Sequence, residues 1–263
     1  ARLIPCRTER QGRRWQILVP AASLQEAIRE LRQYEDENRG WPPPPPAVQP
    51  TANNFFTTIW VLIALAAFHD ITLAEVDLMG HAPVDWLALG NAHAGRIVAG
   101  EWWRLATALT LHSGWLHLAS NLLIGGIFVV RLCRDLGSGL GWSLLLASGI
   151  FGNLFNAWLQ SPDHRAVGAS TAVFGAVGLL ATISLVRYRH NLRPQRRWAL
   201  PIAAALGLLA MLGAGDGQTD VGAHLFGFLS GLVLGAGTGY LIETVGRPGR
   251  VINLLLVLAG LLI

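Results

Sequence analysis

Apolar and polar positions do not alternate along most of this chain; they segregate into long blocks. Phe55 to about Leu73 is apolar around the whole circumference of a helix, which suits a segment surrounded by hydrocarbon rather than one lying half in water. Similar blocks run over Leu116 to Leu132, Ser143 to Leu159, Val167 to Val186, Trp198 to Leu212 and Val221 to Ile242. Together they predict six membrane-spanning helices. The stretch from Ala74 to Gly114 is mixed and holds Trp86, Trp102 and Trp103, residues that suit a membrane interface. Val251 to Ile263 is apolar again but shorter than the ~20 residues a perpendicular span needs, and reads as a possible, partial seventh span.

Ahead of the first block the pattern changes. Trp15, Ile17 and Val19 recur at every second position, as in a strand. Leu24, Ile28 and Leu31 then recur at helical spacing, with Glu30, Arg32 and Glu35 largely elsewhere, so this helix is expected to pack on the strand rather than enter lipid. Ser23, with Glu26 three residues on, reads as a capping box at its start. The run Pro42 to Pro46 fits neither helix nor sheet and is expected to be a stiff spacer.

Composition adds topology. With 52% apolar and 14% charged residues, the chain has the profile of a multi-spanning membrane protein. Its basic residues are all Arg and cluster between the blocks: Arg131 and Arg134 after the second, Arg187 to Arg197 after the fourth, Arg247 and Arg250 after the sixth. By the positive-inside bias those loops and the N-terminal unit are cytoplasmic, and the starts of spans two, four and six lie at the outer face. The net charge of +4 therefore speaks to topology, not to a nucleic-acid partner. Cys6 and Cys133 lie far apart and suggest neither a disulfide framework nor a metal site. The N-terminal stretch is polar and Arg-rich, without the apolar core of a signal peptide. The expected fold is an all-α polytopic membrane protein, a six-helix bundle with a possible seventh C-terminal helix and a small α/β N-terminal cytoplasmic unit. Residues 1–40 form that soluble unit, 41–53 the Pro-rich linker, 54–245 the membrane domain, and 246–263 a cytoplasmic loop with the partial seventh span.

Polar side chains inside spans are costly, and mark candidate chemistry. Ser170 opens the fourth span in G-A-S-T-A-V-F-G; alone, a serine among small residues is a packing residue. His224 lies in the sixth span, one turn before Gly227, Gly231 and Gly235, a spacing that lets another helix approach closely. If that helix carries Ser170, the two side chains sit at similar depth, and a histidine in reach activates a hydroxyl that is otherwise a poor nucleophile. Alone, His224 reads equally well as a helix–helix hydrogen-bond partner. His117 and Asn121 project from one face of the second span, with donors suited to a developing oxyanion. His112, ahead of them, is assigned a structural role at the interface. His112 and His117 lack helical ligand spacing and no H-E-x-x-H occurs, so no metal is expected. Asp220 is expected to cap the sixth helix, and His69, His81, His93 and His164 to be solvated. Gly213 to Asp216, G-A-G-D, is read as a turn.

From about Gly100 to Gly235 the sequence resembles the rhomboid family of intramembrane serine proteases. Four motifs coincide in order: E-W-W-R-L-A-T at Glu101 to Thr107, H-x-x-x-N at His117 and Asn121, the serine motif at Gly168 to Ser170, and A-H-x-x-G at Ala223 to Gly227. The resemblance implies a rhomboid-type bundle in which Ser170 is the nucleophile and His224 the general base. It implies that His117 and Asn121, with the Ser170 backbone N–H, form the oxyanion hole, and that Trp103 and Arg104 brace the outer loop. Phe174 matches a position that often holds a ring stacked on the histidine; core or lipid packing is the equal alternative. The substrates implied are transmembrane segments of other proteins, in a bacterial inner membrane, with no cofactor. Two departures stand out. Thr171 replaces the second glycine of G-x-S-G, and Cys133 stands where many members carry Glu before the glycines at Gly137 and Gly139. Thr171 is the feature that would favour the alternative, a catalytically silent relative that binds transmembrane clients.

Overall fold

The computed structural model describes residues 4–12, 14–39, 54–74, 84–187, 203, 207 and 220–260, in two compact units, Ala1–Pro46 and Ala47–Ile263. In the first unit β1 (Arg7–Gln11) pairs antiparallel with β2 (Arg14–Leu18), placing Arg10 opposite Trp15 and Thr8 opposite Ile17. The turn uses Gly12 at a φ of 61°, a left-handed conformation that glycine adopts at little cost. A 3-10 turn (Ala21–Ser23) leads into α1 (Leu24–Glu37). Two expectations fail here. Helix α1 buries none of its residues, and Leu24 and Leu31 stay exposed rather than packing on the strand. Ser23 does stand at the N-cap but makes no side-chain cap bond, because the preceding 3-10 turn leaves it near ψ 0° instead of in the extended region a capping hydroxyl needs.

The second unit is all-α and polytopic. Among the described residues five helices are long and apolar enough to cross a membrane: α2 (Phe55–Leu73), α6 (Trp115–Leu136), α7 (Ser138–Leu159), α8 (Ser170–Arg187) and α9 (Val221–Val245). The expected span at 198–212 and the G-A-G-D turn lie outside the described residues. Between α2 and α6 the described residues form three short helices, α3 (Trp86–Gly90), α4 (Ala94–Val98) and α5 (Arg104–Thr107). A strand β3 (Ala92–His93) pairs antiparallel with β4 (Arg165–Ala166), which precedes α8.

Helix α8 is the centre of the bundle. Twelve of its eighteen residues are buried, on every face, so it is apolar throughout because protein surrounds it. Its closest neighbour is α9, and the glycine stripe explains the closeness. A Cβ at Gly227 would strike the Thr171 carbonyl, one at Gly231 the Gly175 carbonyl, and one at Gly235 the Thr182 hydroxyl. With no side chains along that line the two backbones meet directly. Helices α6 and α7 pack on the other sides of α8, Gly125 against Val173 and Gly149 against Ala172. The outer faces carry Trp60, Leu123, Ile127, Val233 and Leu241, all exposed, as lipid contact requires.

Helices α6 and α7 run longer than the hydropathy blocks and join across the single residue Gly137, at a φ of 88°. The C-terminal segment is a helix, α10 (Arg250–Gly260), and it reaches this corner: the Leu140 N–H donates to Asn253 Oδ1 at 3.2 Å. A Cβ at Gly139 would strike the Asn253 backbone, so the corner glycine makes room for α10. Cys133, fully buried, lies against Gly141, and Asn253 supplies polar contacts at this corner, where many relatives carry Glu in place of Cys133.

Candidate active site

The loop between α2 and α6 is fastened by one buried cation. Arg104 is 1% exposed; its Nε donates to Glu101 Oε2 at 2.6 Å, and its Nη1 donates to the carbonyls of Ala88 (3.0 Å) and Asn91 (3.1 Å). A guanidinium can hold these acceptors at once because its donors are fixed in a plane. Trp103 stays exposed and donates its Nε1–H to the Leu89 carbonyl at 3.4 Å. Asn153 of α7 donates to the Leu105 carbonyl at 2.9 Å, tying this frame to the bundle.

The frame continues into the approach to Ser170. The Gly95 N–H donates to the Pro162 carbonyl at 2.8 Å, and the Gly168 N–H to the Ala108 carbonyl at 2.9 Å. Gly168 has a φ of 131°, and a Cβ there would lie 2.7 Å from His117 Nε2 and 3.6 Å from Ser170 Oγ. The glycine therefore leaves a gap bounded by the serine and the His117 ring. The Ala169 N–H donates to His112 Nε2 at 3.3 Å. His112 is 2% exposed, and burial, with His117 beside it, pulls its pKa from 6.5 down to about 4. The structural role expected of His112 takes this form: a neutral acceptor under the residue that precedes Ser170.

Ser170 and His224 come together. The serine Oγ lies 2.8 Å from His224 Nε2, and both residues are buried. Phe174 stacks on the imidazole with ring centroids 4.4 Å apart and planes 15° from parallel, which fixes the ring's plane. Asp220 does cap α9, its Oδ1 accepting from the Ala223 N–H at 2.9 Å, but its carboxylate does not serve His224 Nδ1. His117 Nδ1 lies 3.1 Å from Ser113 Oγ, which leaves Nε2 facing the gap over Gly168. Asn121 Nδ2 donates to the His117 carbonyl at 3.1 Å, one turn back on its own helix. Thr171 points elsewhere: its methyl packs toward Gly152 and Gly227, between α7 and α9.

Three histidines read as solvated are not; His93 is partly buried, with its Nδ1 shut off from solvent. His69 is fully buried in α2, edge-on to Trp115 at 5.0 Å and to His112 at 6.1 Å between ring centroids. Asn54, Thr58, Leu62, Leu65 and His69 fall four, four, three and four residues apart, one stripe of α2 turned inward, and that spacing was a signal in the sequence. His164 is partly buried with its Nε2 2.7 Å from Asp220 Oδ2. His81 lies outside the described residues. Among the described residues no group of three or more His, Cys, Asp or Glu side chains is arranged to hold a metal ion.

A serine hydroxyl within hydrogen-bond reach of one imidazole, beside a gap that a second imidazole also faces, is a set suited to acyl transfer. A family model described as a Rhomboid domain matches residues 99–241, more than half of the chain. The chain is 31% identical over 174 residues to the putative rhomboid protease YdcA of Bacillus subtilis, covering 66% of this chain and 86% of that protein. It is 33% identical over 181 residues to Rhomboid-like protease 3 of Toxoplasma gondii, covering 67% and 66%. With rhomboid protease GluP of B. subtilis it shares 29% over 188 residues, 70% of this chain but only 35% of that longer protein.

Proposed function

The chain belongs to the rhomboid family, and from that premise we propose that it is an intramembrane serine endopeptidase cutting transmembrane segments of other membrane proteins with Ser170 and His224. The observation that carries the reading is the 2.8 Å separation of Ser170 Oγ and His224 Nε2 in a buried setting. As Oγ attacks a scissile carbonyl, its proton passes to Nε2, which then returns it to the leaving amine; water releases the acyl-enzyme by the same route reversed. The stacked Phe174 ring keeps Nε2 aimed at the serine and offers its face to the imidazolium. Ser113 Oγ lies 3.1 Å from His117 Nδ1, and the tautomer in which that hydroxyl donates to Nδ1 puts the ring proton on Nε2, a donor beside the gap where the oxyanion forms. The Ser170 backbone N–H is the second donor. Asn121 joins as a third by exchanging its bond to the His117 carbonyl.

The orientation follows from the arginines. Arg131 and Arg134 near the end of α6, Arg187 at the end of α8 and Arg247 after α9 lie opposite the ends that hold the dyad, so we assign the dyad to the outer side of a bacterial inner membrane and the N-terminal unit to the cytoplasm. The Thr171 methyl packs into a helix interface instead of the gap beside Ser170, which supports the active reading over a silent client-binding one. The test is intact-mass analysis of the detergent-solubilised protein after a fluorophosphonate probe. A single adduct mapped to Ser170, absent from Ser170→Ala and His224→Ala, is expected. A folded wild-type chain that takes no adduct sinks the proposal.

A further inference from the structure

The two members of the dyad reach the site by separate routes. Ser170 follows a loop bonded to the frame through Pro162, His164 and Gly168; the His164 carbonyl accepts from the Ala94 N–H at 3.0 Å. His224 arrives on α9, whose first turn starts at Asp220. Between these routes lies a polar cluster outside the dyad itself. Asp220 Oδ1 accepts from Ala223 N–H, while Oδ2 accepts from Asn156 Nδ2 at 2.6 Å and lies 2.7 Å from His164 Nε2. Gln160 Nε2 donates to Asn156 Oδ1 at 3.4 Å. The cluster occupies space that a missing side chain leaves: a Cβ at Gly222 would strike Asn156 Oδ1 and lie 3.2 Å from Asp220 Oδ1.

His164 precedes Ser170 by six residues and Asp220 precedes His224 by four, so this carboxylate joins the nucleophile's loop to the first turn of the base's helix. We propose that Asp220, through His164 and Asn156, is a positioning group that holds Ser170 Oγ and His224 Nε2 in register. It acts through the backbone of α9 and makes no hydrogen bond to the imidazole, whose Nδ1 has no hydrogen-bond partner among the described residues. Hydrogen bonds to a carboxylate are short and strong, and this one is anchored at both ends by rigid elements. The neighbouring Asp163 and Arg165 side chains are exposed, in contrast to Asp220. The inference rests on the reading of Ser170 and His224 as nucleophile and base.

The experiment compares fluorophosphonate labelling rate and melting temperature for the wild-type protein and four variants. Asp220→Asn keeps an acceptor for the Ala223 cap but turns an amide N–H toward Asn156 and His164. His164→Leu removes the other partner; His164→Gln retains a donor. Asp220→Asn and His164→Leu are expected to label about ten-fold more slowly or worse, as misplacement of a reacting group implies, with melting temperatures close to wild type. His164→Gln should recover most of the rate, and the double variant Asp220→Asn/His164→Leu should be no slower than the slower single one. Wild-type rates in Asp220→Asn and His164→Leu, or a His164→Gln no faster than His164→Leu, overturn the positioning role while labelling of wild type upholds the dyad. No adduct on folded wild type overturns both.

Discussion

His112 sits beneath the residue before Ser170 as a buried neutral acceptor, and that makes acid its vulnerability. Burial and the neighbouring His117 lower its pKa from 6.5 to about 4, so between those values the unfolded chain binds a proton that the folded chain excludes. The stability this contributes is complete above about pH 6.5 and drains away as pH falls toward 4, an effect of order ~3 kcal/mol by linkage. Melting temperature in detergent should therefore fall over that window. His112→Gln, which keeps an acceptor for the Ala169 N–H but does not titrate, should flatten the decline. An equally steep decline in His112→Gln would assign the acid lability to another group. Single residues were also where the sequence was hardest to read. His117 and Ser170 stood out because their motifs have fixed spacing, and the structure brings both to the gap over Gly168. His69 was misread because nearness to a span end reveals depth but not which side of the helix faces protein. Thr171 stood out as a departure from the family's second glycine, and the sequence cannot show that Gly152 and Gly227 leave room for its methyl between α7 and α9.

At the scale of elements, the four-residue glycine repeat of α9 announced a close helix partner but left open which one, and the structure supplies α8. What the repeat could not reveal is how little slack exists. The atoms facing Gly227 and Gly231 are backbone carbonyls, which have no rotamer to retreat into. Gly227→Ala should force the helices apart, cost about 1–3 kcal/mol as overpacking does, and move His224 away from Ser170. Both melting temperature and labelling rate should drop. Gly237→Ala is the control: nothing lies within 4 Å of its added Cβ, and it should melt at or above the wild-type temperature. Equal behaviour of the two variants would refute tight backbone contact as the basis of the pairing. The corner at Gly137 was half legible. The glycines announced a turn, but Asn253, more than a hundred residues away, supplies the polar contact there, and no local pattern announces a partner at that separation.

For the whole molecule, hydropathy sufficed for the membrane domain because bilayer thickness imposes one helix length, while the N-terminal unit, under no such constraint, was read less well. Its strand β1, R-T-E-R-Q, has no apolar alternation, and its helix was given a packing partner it does not use. The reason is size: a hairpin and one helix of fourteen residues, with Trp15, Leu24 and Leu31 exposed, bury too little apolar surface to form a core. The membrane unit, by contrast, holds its buried clusters, the Arg104 frame and both dyad residues within itself. We therefore expect deletion of residues 1–46 to leave the rate of Ser170 labelling within about two-fold of the full chain and the membrane domain's melting temperature nearly unchanged, as for separable domains. A collapse of labelling in the shortened protein, with melting preserved, would show that the unit acts on the site. A collapse of melting would show that the division between the units is wrong.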